Sequence, residues 1–342
     1  MEHGTAAQAS LGTEERSLLF HAGVRSHDPD PPPQLDEAAQ ARVLRKLNWT
    51  IVPWLLSFAL VCYLDRNNLG FAALQLTRDL RLSCHEYGLG AGIFFVGYTL
   101  FQVPLSFGVS RFGAPVWLGG ICVVWGAVAV VMAGISSFPA FLALRLLLGV
   151  AESSAFPGIY QHLAAFYSPR EMTSAYPKVS SANAAASVLG APLAAAILRL
   201  DGHWGLAGWQ WLFALEGGLA LVFGLCMRLC MPAGPQSARF LTSKERRWLH
   251  ARQTSSAARQ ESSRSSLAVL RAVVLDWRVL YLALCWLVIA CSMYGLLFWT
   301  PLYVKSMFGE VVGPGTGRVE RKLQSVASPL PAPSSPPPPP PP

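Results

Sequence analysis

The chain has 342 residues, of which 52% are hydrophobic and only 13% charged, with a formal net charge of +8. Soluble domains carry about 25% charged residues, so the composition excludes an ordinary water-soluble enzyme and points to a polytopic membrane protein. The positive excess is concentrated in residues 237–278, which hold nine basic and three acidic groups; with no aromatic-basic interleaving and no recognisable motif, this segment reads as a loop between apolar blocks and not as a nucleic-acid surface.

Residues 1–40 are polar, with a proline cluster between Pro29 and Pro33, and read as a disordered cytoplasmic tail. An amphipathic lead-in, Ala39 to Leu47, then enters the first apolar block. At about 20 apolar residues per span, the spacing predicts spans over 49–72, 87–109, 116–136, 138–167, 178–199, 209–231 and 279–305. The fourth contains Pro157-Gly158, which would kink it or end its embedded part. Six spans thus make a bundle over 41–235, followed by a basic cytoplasmic loop (236–278), a seventh span (279–309) and a Pro-rich tail (310–342) that reads as disordered or polyproline II.

Loop charges set the expected orientation. Arg42, Arg45 and Lys46 precede span 1, Arg111 follows span 2, Arg170 and Lys178 separate spans 4 and 5, and the basic loop follows span 6. The intervening loops are balanced (Arg78, Asp79, Arg81, Glu86; Arg199, Asp201) or uncharged. By the positive-inside rule the N-terminus and the long loop face the cytoplasm. Six spans, a long loop and a seventh span is the outline of a transporter built as two six-helix halves. The seven cysteines include no Cys-x-x-Cys pair, and no nucleophile–base pair, metal cluster or phosphate-binding loop is present in the sequence, so neither an enzyme nor a cofactor is expected.

The informative residues are the ionisable groups inside spans, because a charge at the bilayer centre costs about 2.5–3.5 kcal/mol on insertion scales. Asp65 and Arg66 lie roughly 22 Å along span 1, and Arg145 roughly 10 Å into span 4 from the opposite side, which puts them at similar depth. Arg145 and Glu152 are seven residues apart and project from one helix face. Two guanidiniums and two carboxylates on one cavity suit an anion site coupled to proton uptake, since arginine offers a planar fork to a carboxylate and a desolvated carboxylate readily takes a proton. Structural ion pairing between packed helices is the competing reading. Glu216 is expected near the outer interface, Arg228 to snorkel at its span's end, and His162 to pack. The glycines of span 2 (Gly88, Gly90, Gly92, Gly97) predict close helix packing. Asn183 and Ser187, four apart in span 5, are candidate cavity groups as well as ordinary interhelical hydrogen bonders.

The strings YLDRNNLGFAALQLTRDL, GLGAGIFFVGYTLFQVP, RLLLGVAESSAFPGIY, GWQWLFALEG and YGLLFWTPLYVKSMFG resemble the anion:cation symporter family of the major facilitator superfamily, from about Arg42 to Gly309. The resemblance implies an all-α membrane protein, here the N-terminal six-helix bundle plus the first helix of the second half. It further implies proton-coupled import of a small organic anion, such as tartrate, phthalate or a sugar acid, by alternating access, with the proton as coupling ion and the lipid bilayer as surroundings. Carried over by motif, Asp65 and Glu152 match proton-coupling positions, Arg145 and Arg66 match anion-binding positions, and Tyr63 and Tyr294 fall in cavity-lining motifs. Arg111 and Gly113 match the gating loop between spans 2 and 3. That loop departs from the family pattern, with Ser106 and Ser110 at two of its positions and Pro115-Val116 for basic residues, which predicts altered gating. Spans 8–12 of the family pattern do not follow, so truncation after the seventh span is expected. The alternatives are a transport-inactive regulatory half-transporter that pairs with a full-length one, or a gene product read past a lost boundary.

Overall fold

The computed structural model describes residues 34–261 and 275–308. Residues 1–33, 262–274 and the Pro-rich 309–342 lie outside the described residues. All regular structure among the described residues is helical: α1 (Glu37–Asp79), α2 (Cys84–Phe112), α3 (Ala114–Met132), α4 (Phe138–Glu152), α5 (Ala155–Ala164), α6 (Pro169–Ser180), α7 (Ala182–Leu198), α8 (Gly208–Cys230), α9 (Ser243–Glu261) and α10 (Trp277–Phe308), with two short 3-10 turns. Seven segments are long and apolar enough to cross a membrane, α4–α5 and α6–α7 each counting as one.

The predicted lead-in and first span are one 43-residue helix, α1. Its early buried positions (Val43, Leu47, Ile51, Leu55, Phe58) keep to one face, but every residue from Leu64 to Gly70 is buried. There α1 is covered on all sides: α10 closes over it, and a methyl group added at Gly70 would sit 2.7 Å from the Leu297 carbonyl oxygen. α2 begins with a reciprocal cap, in which the Ser83 Oγ accepts from the Glu86 N–H and the Glu86 carboxylate accepts from the Ser83 N–H. It ends at Gly113, whose φ of +81° lets the chain turn directly into α3.

The expected kink in the fourth span falls at Ser153-Ser154, one turn before Pro157. The cause is local: Pro157 cannot donate to the carbonyl of Ser153, four residues back, and its ring crowds that carbonyl. The break places Glu152 at the last turn of α4, and Ser154 Oγ accepts from the Trp117 indole N–H of α3 at 2.9 Å. Of the span 2 glycines, Gly90 abuts the Phe141 ring and Gly97 the Leu146 backbone of α4, whereas nothing lies within 4 Å of a methyl group built at Gly92. Without water to drive helices together, such close backbone approach is what holds membrane helices.

The first part of the basic loop is helical and strapped to the bundle. Thr242 and Glu245 form a capping box that starts α9. Glu245 also pairs with Lys46 of α1 at 2.8 Å, and Arg252 pairs with Glu171 of α6 at 2.9 Å. Partial burial pushes the Glu245 carboxyl up, but the Lys46 ammonium and the Thr242 N–H outweigh it and hold it below the usual carboxylate range. A depressed folded-state value means that this contact stabilises docking above the unfolded value and is lost as pH falls through the folded one. Acidification from neutral to below the carboxylate range is therefore expected to lower the amide protection factors of α9, that is, exchange referenced to the intrinsic rate at each pH, and Glu245→Gln to lower them at neutral pH. Protection factors independent of pH in the unsubstituted protein would contradict this.

Candidate functional site

α1 delivers four consecutive polar residues into the bundle interior: Asp65 is 2% exposed, Arg66 5%, Asn67 8% and Asn68 1%. They are held there because α1 is enclosed at this level, so no face is free to turn them outward. α4 supplies Arg145 and Glu152, each 0% exposed, and their spacing of two turns keeps them on the same face. The Arg66 guanidinium donates to Glu152 Oε2 through Nη2 at 2.7 Å and Nε at 3.3 Å, and through Nη1 to the Tyr294 hydroxyl of α10 at 3.3 Å. It also lies over the rings of Tyr98, Phe94 and Phe156 at 4.9, 5.4 and 5.6 Å. A desolvated cation is favoured over aromatic faces, so the guanidinium is anchored by one carboxylate, one hydroxyl and three rings.

Arg145 lies over the same Phe94 ring, 4.9 Å from its centroid. Its Nε donates to the Gly90 carbonyl at 3.2 Å, while Nη1 and Nη2 have no hydrogen-bond partner. Asp65 lies closest to the Glu152 carboxyl, with Glu216 and Arg145 also within electrostatic reach. Tyr63, half-buried, packs on Phe156 at 5.2 Å. The structure thus gathers Asp65, Arg66, Arg145, Glu152, Tyr63 and Tyr294.

The remaining candidates stand apart. Asn183 is half-buried on α7, where its carbonyl accepts from the exposed Ser187 hydroxyl. Arg111 is exposed at the end of α2, its guanidinium 5.6 Å over the Phe112 ring, next to the Gly113 turn. Ser106 and Ser110 donate to carbonyls of their own helix, Val103 and Phe107. His162 is buried against Phe166.

One expectation is corrected. Glu216 is not interfacial: it is 5% exposed, beside Asn68 and facing Asp65. It lies eight residues into α8, a depth of about 12 Å at the helical rise. The sequence signal for this is an acid inside an apolar block, which does not by itself separate an interfacial from an interior position. Phe94 and Tyr98, whose stacked rings flank the Arg66 guanidinium, carry no sequence signal beyond an apolar span.

The profile of the Major Facilitator Superfamily matches residues 55–316. The chain is similar to a protein of Agrobacterium vitis named as a candidate tartrate transporter, 38% identical over 267 residues that cover 78% of this chain and 59% of the relative. It is also similar to the quinolone resistance transporter of Acinetobacter baumannii (35% identical, 78% of this chain, 61% of the relative). The inner membrane transport protein RhmT of Escherichia coli is 34% identical, with 79% of this chain and 62% of the relative covered. The chain therefore spans about three-fifths of the length of these relatives. Among solved structures, a bacterial homologue of the human lysosomal transporter Spinster, inward-facing and occupied, superimposes on 54% of this chain and 44% of its own with a TM-score of 0.50 at 18% identity; that likeness concerns the fold.

Proposed function

Because this chain belongs to the Major Facilitator Superfamily, we propose that it takes part in proton-coupled transport of a small organic anion by alternating access. The observation that carries the reading is the buried Arg66–Glu152 pair, 2.7 Å long, inside a membrane-spanning bundle and beside a second acid and a second guanidinium. Pairing of this kind gives coupling by competition. Arg66 can give its strongest hydrogen bond to Glu152 or to the carboxylate of an incoming anion. A proton on Glu152 weakens the internal pair and frees the guanidinium fork. Anion and proton then bind together, and leave together when Glu152 recaptures Arg66.

The other residues take supporting roles. Tyr294 reaches Arg66 from α10 and would sense whether the guanidinium faces inward or toward substrate. Tyr63 and Phe156 wall the same place. Arg145 is fully enclosed against Phe94, so in this conformation it contributes the field of a second positive charge and no direct contact. Asn183 would supply a hydrogen bond from α7, and Arg111 with Gly113 would act at the turn between α2 and α3 during gating. The positive-inside pattern supports a cytoplasmic N-terminus.

Substrate class follows the relatives only at the level of their names, among which tartrate is a small dicarboxylate. The test is uptake of labelled tartrate and of a sugar acid into proteoliposomes containing the 342-residue chain, with a pH gradient acid on the outside. Gradient-dependent, saturable accumulation that Arg66→Ala abolishes is the expected result. Accumulation indifferent to the gradient would sink proton coupling, and accumulation indifferent to Arg66→Ala would sink the site.

A further inference from the structure

α10 leans on the bundle along one narrow stripe. Phe298 is the only buried residue described on it, and Ala290, Tyr294, Leu297, Pro301 and Leu302, at helical spacing around it, are half-buried. Near Phe298 the attachment is made by main chain. Pro301 has no N–H to give the Leu297 carbonyl four residues back, and that carbonyl oxygen lies against Gly70 of α1, 2.7 Å from where a methyl group would stand. The next carbonyl, of Phe298, lies 3.2 Å from the Tyr87 hydroxyl of α2, which is also 3.2 Å from the Leu69 carbonyl of α1. The Tyr87 ring is fully buried, edge-on to Trp299 with centroids 5.7 Å apart. A hydroxyl carries one proton, and two equal, long contacts are what a donor forked between two acceptors gives. One hydroxyl thus ties three helices together.

We propose that Tyr87 is a positioning residue for the transport site: its hydroxyl holds α10 against α1 and so keeps the Tyr294 hydroxyl within reach of Arg66. This rests on the role proposed for Arg66 above. Tyr294 stands one turn before Phe298 on the same stripe, so what fixes one fixes the other. Its hydroxyl is 3.3 Å from Arg66 Nη1, a longer contact than the 2.7 Å pair between Arg66 and Glu152. Its ring packs on Phe95 at 4.8 Å and on Phe298 at 5.8 Å. Arg66 is therefore committed to Glu152 and takes Tyr294 where α10 presents it. The latch lies at the end of the bundle away from α9, since Gly70 is 24 residues beyond Lys46 on α1, roughly 36 Å at the helical rise. When the hydroxyl lets go of Phe298 it still has the Leu69 carbonyl, so release strands no buried donor. That makes the contact reversible: α10 can lift, drawing Tyr294 away from Arg66 and opening the site at this end.

The test is a distance measurement on the full chain in lipid, with no transport involved. Spin labels go on Cys84, exposed one turn before Tyr87, and on Met307→Cys, exposed near the end of α10. Cys226, Cys230, Cys285 and Cys291 are replaced by serine, and the buried Cys62 and Cys122 stay. Double electron–electron resonance then reads the separation of α2 and α10. Gly70→Ala drives a methyl group into the Leu297 carbonyl and should lengthen the distance, which marks the displaced position of α10. Tyr87→Phe keeps the ring on Trp299 and removes only the hydroxyl; it should shift the distribution toward that of Gly70→Ala. Tyr294→Phe removes the contact to Arg66 but leaves the latch, and should keep the unsubstituted distance. So should Gly92→Ala, which has open space around it. A Tyr87→Phe distribution identical to the unsubstituted one overturns the proposal even if that variant melts lower, because the hydroxyl would then serve stability alone. No lengthening in Gly70→Ala means that α10 does not meet α1 there, and the proposal falls. Equal lengthening by Tyr294→Phe also sinks it, since Arg66 and not Tyr87 would then hold α10. Failure of proteoliposome uptake would leave these distances unchanged, so the two proposals fail separately.

Discussion

Arg66→Met is expected to destabilise the bundle by about 3–5 kcal/mol, the usual cost of breaking a buried pair from one side. The methionine fills the volume but leaves the Glu152 carboxylate, 0% exposed, with no partner for Oε2. Glu152→Met should cost about as much for the converse reason, since Arg66 would keep only Tyr294 and the rings of Tyr98, Phe94 and Phe156. The double variant should recover most of the loss, because two apolar side chains of similar volume replace the pair at little net cost. Unfolding of the purified chain in mixed micelles, run as a double-mutant cycle, reads the coupling directly. Additive losses would show that the two side chains do not depend on one another, and the competition between Glu152 and substrate for Arg66 would lose its basis.

The separation of roles matters for interpretation. If transport requires the pair, a variant that retains stability must still lose gradient-driven uptake. The double variant provides that case: folded, close to the original stability, and without the guanidinium that an anion would meet. Loss of uptake there cannot be ascribed to unfolding.

The sequence made the helices legible because their signal is composition: seven apolar blocks of spanning length correspond to the seven candidate membrane helices. The charged cluster was legible for a related reason. An acid or arginine inside an apolar block is rare and costly, and helical rise alone brought Asp65, Arg66 and Arg145 to one level. What periodicity along one helix could not give was the angular position of that helix in the bundle. Glu216 was placed near an interface because nothing in α8 says that its acid side meets Asn68 of α1. The kink at Ser153-Ser154 could be anticipated from Pro157 but was displaced toward the carbonyl that proline crowds. α9 was hidden inside a hydrophilic loop, since its docking depends on Lys46 and Glu171, which lie 199 and 81 residues away from their partners.

The contact between α3 and α8 was equally invisible, because it depends on which glycines face each other. A methyl group at Gly126 would meet the Gly217 carbonyl oxygen at 2.7 Å, and one at Gly217 would meet the Gly126 oxygen at 2.8 Å. Two turns along, Gly119 and Gly224 approach in the same reciprocal way, each at 2.7 Å. The antiparallel helices thus cross on two glycine pairs, with main chain against main chain, and no side chain can rotate away to admit a methyl group. Gly126→Ala is therefore expected to force the helices apart and to cost about 3 kcal/mol, at the upper end of what overpacking costs. The neighbouring Gly120 and Gly218 have nothing within 4 Å of an added methyl group, so alanine there should be neutral or stabilising by up to about 1 kcal/mol through helix propensity. Melting of the four alanine variants side by side decides the matter: Gly126→Ala and Gly217→Ala should fall well below Gly120→Ala and Gly218→Ala. If all four melt together, the close crossing of α3 and α8 does not exist in the membrane.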